Sequence, residues 1–155
     1  MKTIAILGST GSIGTQALDI VKKSNNKFKV EYLSANSDYK TLFEQIKVFS
    51  PNYACINNED SYRSLKNLLD KDSNTEILFG EKENLDLISN SKVDLILNAI
   101  VGVDGLKPTI AAIKSNIDIA LSNKESLVLA GQLVTELANK NNTKIFPVDS
   151  EHSAI

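Results

Sequence analysis

The sequence predicts an α/β fold with a doubly wound, mostly parallel sheet. Short apolar runs alternate with amphipathic helical segments along all 155 residues, which is the pattern of repeated βαβ units. The run at residues 93–100 is nearly all apolar, as expected when both faces of a parallel sheet are covered. The first run also leads directly into a glycine-rich turn and a helix. These observations predict one domain over residues 1–155.

The glycine-rich turn follows a first strand at residues 3–7 and reads Gly8-Ser9-Thr10-Gly11-Ser12-Ile13-Gly14. Glycines at three-residue spacing let the backbone turn tightly, approach a phosphate and pack the next helix against the sheet. That helix, Ser12–Lys23, directs its first-turn amides and dipole at an anion. Glycine used for turn geometry alone is the alternative, but a second strand at residues 29–34 completes the βαβ unit. We therefore expect a Rossmann-type pyrophosphate cradle.

The end of the second strand indicates which dinucleotide this cradle takes. In NAD-binding units an acidic residue stands there and holds the ribose diol. Leu33, Ser34 and Ala35 occupy that point, and none of them repels a 2′-phosphate. Asp38 lies only a few residues on, so the sequence favours NADP modestly.

The remaining elements follow from apolar residues at strand or helix spacing, with Gly, Pro and Asn at the breaks. The predicted strands are Tyr53–Ile56, Glu76–Phe79 and residues 93–100, 117–121 and 144–146; the predicted helices are Tyr39–Phe49, one from Asp60 or Ser61, one from Gly80 through Leu85 and Ile88, Leu106–Lys114, and one ending near Asn139. Because parallel strands end at one edge, the polar loops at residues 8–14, 35–38, 122–125 and 149–152 are expected to converge.

Composition and charge exclude several classes of protein. A net charge of −2 and a pI near 5.4 give no electrostatic footprint for nucleic acid. No apolar run approaches 18 residues and no leader precedes the first strand, so we expect no membrane partner and a cytoplasmic location. The single cysteine, Cys55, lies within an apolar strand, which favours an inert buried thiol over a nucleophile.

Two loops carry candidate chemistry. In Asn123-Lys124-Glu125 the ammonium could hold a substrate phosphate or polarise a carbonyl, although a solvated loop charge has the same pattern. Glu125 could equally be a first-turn helix carboxylate. In Asp149-Ser150-Glu151 the two carboxylates of an extended segment point the same way and suit Mg²⁺ or Mn²⁺, with a solvated acidic turn as the alternative.

Four motifs, in their order and spacing, resemble the amino-terminal part of one enzyme family. They are the 8–14 turn, Ala99-Ile100-Val101-Gly102, Ser122-Asn123-Lys124-Glu125-Ser126 and Pro147-Val148-Asp149-Ser150-Glu151-His152. The glycine turn is shared with other NADP enzymes, but the last two motifs are highly specific. Together they resemble 1-deoxy-D-xylulose 5-phosphate reductoisomerases over essentially the whole chain.

The resemblance implies an activity and a set of site residues. Such enzymes isomerise 1-deoxy-D-xylulose 5-phosphate, a phosphosugar, to a branched aldehyde and reduce it with NADPH to 2-C-methyl-D-erythritol 4-phosphate, the committed step of non-mevalonate isoprenoid synthesis, which fosmidomycin blocks. It implies the following roles: cofactor binding by Gly8, Thr10, Gly11, Ser12, Ile13, Asn36, Ser37, Asp38, Asn123 and Glu125; substrate binding by Lys124, Ser150 and Glu151; metal binding by Asp149 and Glu151; and catalysis by Lys124 and Glu151.

The chain departs from the family pattern at two points. Asn36-Ser37-Asp38 places a negative charge where the family has a neutral amide. The family also continues past Ile155 through catalytic and helical domains, and full-length members are expected to be homodimers. We therefore expect residues 1–155 to bind NADPH without turnover. The alternatives are a nucleotide-binding module without chemistry and another NADP-dependent reductase, such as a semialdehyde dehydrogenase, which the mid-strand position of Cys55 disfavours.

Overall fold

The computed structural model describes residues 1–69, 73–122 and 124–148, without the side chains of Lys124 and Ser126. Within these ranges seven parallel strands form one sheet in the order β4-β3-β2-β1-β5-β6-β7. The strands are β1 Lys2–Leu7, β2 Phe28–Ala35, β3 Tyr53–Ile56, β4 Glu76–Phe79, β5 Leu95–Asn98, β6 Asp118–Leu121 and β7 Ile145–Pro147. The helices are α1 Ser12–Lys23, α2 Tyr39–Phe49, α3 Glu59–Leu68, α4 Gly80–Asn90, α5 Leu106–Lys114 and α6 Lys124–Lys140, with a 3₁₀ turn at Gly102–Gly105 before α5. The predicted doubly wound sheet is confirmed.

Two apolar layers cover the sheet because alternate residues of each strand point to opposite faces. Ile4 and Ile6 of β1 pack in one cluster with residues of α1, α2 and α3. Ala5 and Leu7 pack in the other with residues of α4 and α5. A smaller cluster joins α5 to α6 through Ile113, Val134 and Ala138.

Several predicted boundaries are wrong by a few residues. The strand predicted at 93–100 covers only Leu95–Asn98, because the Asn98 side chain accepts the Ile100 N–H and turns the backbone out of the sheet. Helix α3 begins at Glu59 rather than at Asp60 or Ser61, since the Asn58 side chain caps it by accepting the Ser61 N–H. Helix α6 contains a non-helical residue, Ala130, which the sequence pattern did not indicate.

One region of the sheet has no helix over it among the described residues. On the face that carries α1, the apolar side chains of β5 and β6 line a shallow hollow with Ile20, which is 65% exposed. Phe146 of β7 lies beside Ala120 in the same row and is also exposed. In the described ranges no helix is both long and apolar enough to cross a bilayer.

Candidate functional site

The carboxyl ends of five neighbouring strands form one row. Register pairing places Ser34, Leu7, Asn98, Leu121 and Pro147 side by side across β2, β1, β5, β6 and β7. Successive strands are added on one side of β1 up to β4 and on the other side from β5 onward. Open α/β sheets bind ligands at such a switch point, here between β1 and β5. The predicted polar loops that follow β1, β2, β6 and β7 therefore all leave the sheet at this edge.

The backbone of the turn requires glycine at two of its three glycine positions. Gly8 has φ +73°, and a Cβ there would lie 2.8 Å from the Ala99 carbonyl oxygen. A Cβ on Gly14 would lie 2.4 Å from the Gly8 carbonyl oxygen. These two glycines let the turn pass β5 and let α1 start against the turn.

Gly11 is different, because the fold itself leaves room for a side chain there. A Cβ on Gly11 would have only the Gly8 carbonyl oxygen near it, at 3.4 Å, and its φ of −76° suits any residue. Within the described chain no side chain caps α1 at Gly11, so its first-turn amides remain available to an anion. Gly8, Thr10 and Gly11 line a crevice of about 240 Å³ at this point. The arrangement fits a phosphate approaching the backbone closely.

The loop after β2 forms one end of the same crevice. Asn36 lines it, and Asn36, Ser37 and Asp38 are all exposed. Two hydrogen bonds from the start of α3 hold the backbone of this loop. The Asn36 carbonyl accepts the Asn58 N–H, and the Ser37 carbonyl accepts the Ser61 hydroxyl. Asp38 caps α2 by accepting the Thr41 N–H at 3.1 Å, a role that the sequence reasoning missed.

Helices α4 and α5 contribute the opposite wall. Lys107 of α5 donates to Glu81 of α4 at 2.8 Å, and this bond raises the pKa of the lysine. Asn84 lines the crevice and accepts a hydrogen bond from the hydroxyl of buried Tyr32. Among the residues that line the crevice in the described chain there are acids, Glu81 and Asp104, but no lysine or arginine. Among the described residues of the crevice, backbone amides and neutral side chains are therefore the groups that could bind a phosphate.

Cys55 is not a nucleophile in this fold. Its side chain is fully buried in β3 beneath Tyr32 and α4. Burial raises its pKa to about 11, so the thiol is protonated at neutral pH. This agrees with the inert thiol predicted from the sequence and disfavours a thioester mechanism.

Two buried amide side chains support the edge of the sheet, and the sequence reasoning missed both. Gln45 of α2 binds Ser9 of the turn by two hydrogen bonds. Asn98 donates to the Gly105 carbonyl at 2.8 Å and to the Thr109 hydroxyl at 2.9 Å. Each is a polar residue within an apolar pattern, which is the signal that could have identified them.

Not all of the predicted site residues can be located. Glu125 is exposed in the first turn of α6, as its alternative interpretation expected. Asn123, Asp149, Ser150 and Glu151 lie outside the described residues, as does the side chain of Lys124. In the described part of the chain no three His, Cys, Asp or Glu side chains cluster as metal ligands would. The metal-site prediction concerns residues 149–151, so the described residues do not test it.

Comparison with known proteins decides the family. The model of the 1-deoxy-D-xylulose 5-phosphate reductoisomerase family matches residues 4–131. The chain belongs to that family. A reductoisomerase from Clostridium kluyveri is 49% identical over 156 residues, which cover 100% of this chain and 40% of the relative. The chain thus spans about two fifths of the length of the curated reductoisomerases it matches.

Solved reductoisomerase structures share the fold. A DOX-P reductoisomerase in complex with NADPH, fosmidomycin and magnesium is 38% identical and superposes with a TM-score of 0.91, covering 99% of this chain and 38% of that one. The Zymomonas mobilis reductoisomerase in complex with NADPH gives 37% identity and the same TM-score, covering 99% of this chain and 40% of that one.

Proposed function

We propose that this chain is the NADPH-binding portion of a 1-deoxy-D-xylulose 5-phosphate reductoisomerase. The observation that carries the proposal is Gly11, which the fold does not require to be glycine and which lines the crevice at the uncapped start of α1. A ligand that needs the bare backbone explains a glycine at that position. The family relatives supply the ligand, since two of their structures are complexes with NADPH.

Within this proposal, the pyrophosphate lies against the backbone of Gly11, whose N–H already donates to the Gly8 carbonyl at 3.1 Å. It binds the amides of Ser12 and Ile13 and the Thr10 hydroxyl. Asn36 and Ser37 receive the 2′-phosphate, and Asp38 lies beside it. Asn123 and Glu125 contact the cofactor further along the edge. The 2′-phosphate then lies at the β2 end of the row of strand ends. The nicotinamide end therefore lies on the other side of β1, towards β5 and β6.

The substrate and metal residues complete the proposal. Lys124 and Ser150 bind the phosphosugar, and Asp149 and Glu151 bind Mg²⁺ or Mn²⁺, with Glu151 also touching substrate. Carboxylate oxygens are the ligands these ions prefer, and when bound the ion supplies a Lewis acid for carbonyl polarisation. Val148, the last described residue, donates its N–H to the Leu121 carbonyl, so the chain enters this segment from the edge where β6 ends.

The activity of the whole protein also belongs to the proposal. It is the isomerisation and NADPH-dependent reduction of 1-deoxy-D-xylulose 5-phosphate to 2-C-methyl-D-erythritol 4-phosphate, by a cytoplasmic homodimer. Residues 1–155 form the NADPH-binding domain of that enzyme, and alone they bind NADPH without turnover.

A matched pair of glycine substitutions tests the proposal. Gly11→Ala should weaken NADPH binding about tenfold or more, because the added Cβ blocks close approach of the phosphate to the backbone. Gly131→Ala, in α6 with open space around it, should leave binding unchanged. Nicotinamide fluorescence in a titration of each purified chain measures the affinity. Equal affinity of the two variants, or no binding by the wild-type chain, would contradict the proposal.

A further inference from the structure

We infer that Gln45 is a positioning residue for the pyrophosphate turn, an inference that rests on the proposed cofactor function. Ser9, the second residue of the turn, donates its hydroxyl to Gln45 Oε1 at 2.7 Å. Gln45 Nε2 donates in return to the Ser9 carbonyl oxygen at 2.8 Å. One side chain of α2 therefore holds both the side chain and the backbone of a residue that precedes it by 36 positions.

The burial of this pair makes the link specific. Ser9 is 0% exposed and Gln45 is 8% exposed, so water does not readily replace either hydrogen bond. A buried carbonyl or hydroxyl that loses its partner is costly. The turn would relax by rotating peptide groups, and the peptides next to Ser9 lead directly to Thr10 and Gly11.

The remaining polar group of Ser9 is also engaged. Its N–H donates to the Ser34 carbonyl of β2 at 2.8 Å, and the neighbouring Gly8 N–H faces the Ser34 hydroxyl at 3.3 Å. Strand β2 thus holds the backbone N–H of Ser9, while Gln45 holds its hydroxyl and its carbonyl oxygen. At the exit, the Gly11 N–H donates to the Gly8 carbonyl at 3.1 Å, and the amides that follow at the start of α1 are left to the ligand. Gln45 therefore fixes the directions of the amides that meet the pyrophosphate without touching the cofactor itself.

The test compares Gln45→Met with Ile46→Val. Methionine matches the length of glutamine but makes neither hydrogen bond, whereas Ile46 is a buried neighbour on the same helix that packs in the apolar core. Each variant is checked for complete folding by circular dichroism and then titrated with NADPH. We expect Gln45→Met to raise the Kd about tenfold or more and Ile46→Val to leave it within about twofold.

A ligand without a pyrophosphate separates positioning from general softening of the fold. Adenosine 2′-phosphate, measured by competition with NADPH, should bind Gln45→Met and the wild-type chain equally. Ser9→Ala removes one of the two hydrogen bonds and provides a second test should Gln45→Met fail to fold; it should weaken NADPH binding by a smaller factor.

The possible results are distinguishable. Equal NADPH affinity of wild type and the Gln45 or Ser9 variants would overturn the inference while leaving the proposed function intact. Equal weakening by Gln45→Met and Ile46→Val, or a parallel loss of adenosine 2′-phosphate, would overturn it as well. A wild-type chain that binds no NADPH would overturn the proposed function and this inference together.

Discussion

At the scale of single residues, Asp38 is an acid whose position serves the fold. It caps α2 through the Thr41 N–H, which explains an acid or amide there independently of any ligand. It also follows closely on Asn36, which lines the end of the crevice where a 2′-phosphate is proposed. Sequence reasoning identified its charge and the structure adds its cap, so the two roles can be separated by experiment.

Asp38→Asn should raise the affinity for NADPH relative to NADH. Asparagine caps a helix as well as aspartate does, so stability should be retained while one negative charge is removed. Because repulsion between the Asp38 carboxylate and the 2′-phosphate is lost, the affinity for NADPH should rise about threefold to tenfold. The affinity for NADH, which has no 2′-phosphate, should change little. Parallel titrations with both nucleotides measure this ratio. An unchanged ratio would remove Asp38 from the ribose end of the site.

Because the Cys55 thiol is buried, we expect the folded chain to lose stability at high pH. Burial raises its pKa from 9.0 to about 11, so the folded state keeps its proton at a pH where the unfolded chain releases it. This contribution to stability is complete below pH 9 and is lost as the pH rises to 11, by about 2 kcal/mol.

Urea denaturation at several pH values tests the Cys55 prediction, with Cys55→Ala as the control that cannot titrate. Above pH 9 the free energy of unfolding should fall more steeply for the wild-type chain than for the variant. Equal slopes for the two proteins would contradict a buried, protonated thiol.

At the scale of elements, the turn and α1 were predictable because glycine spacing and helix periodicity are local signals. Gln45 was not recognised, since its partner Ser9 lies 36 positions away and becomes a neighbour only once the fold has formed. Asn98 binds Gly105, 7 positions further on, across a turn whose path the apolar periodicity does not specify. The early end of β5 was missed for a related reason, because it depends on the hydrogen bond from the Ile100 N–H to the Asn98 side chain. The sequence also could not separate the roles of Gly8, Gly11 and Gly14, because these depend on how close other backbone atoms come.

Gly14→Ala should destabilise the fold, whereas Gly11→Ala should not. The Cβ on Gly14 meets backbone at 2.4 Å, and relief requires α1 to shift, at a cost of about 3 kcal/mol or more. The same change at Gly11, the position before α1, should cost less than about 1 kcal/mol. Denaturant unfolding of both variants measures the difference. Similar losses would show that the turn packs differently from the geometry described.

At the scale of the whole molecule, the covering of the sheet is uneven. The nearly all-apolar run at residues 93–100 predicted that both faces of the sheet would be covered there, and both faces of β1, β2 and β3 do pack in apolar clusters. Over β5 and β6, on the side of α1, the described chain leaves an apolar hollow. Periodicity could not reveal this, since it shows that a strand has an apolar face without showing what covers it.

Ile20→Gln should change the surface without changing the fold. Ile20 is 65% exposed on α1 beside the hollow, so its replacement should alter the free energy of unfolding by less than about 0.5 kcal/mol. The fluorescence of a dye that binds apolar surfaces should fall, because the exposed patch becomes smaller. A large loss of stability would mean that Ile20 is packed rather than exposed.

The central claim is that this chain forms a preassembled, NADPH-selective cofactor domain whose crevice works without the metal. The most direct test is a fluorescence titration of the wild-type chain with NADPH and with NADH, each with and without Mg²⁺. The account predicts saturable binding of one NADPH per chain, weaker binding of NADH, and no effect of Mg²⁺ on either. Absence of NADPH binding, or binding only when Mg²⁺ is present, would contradict it.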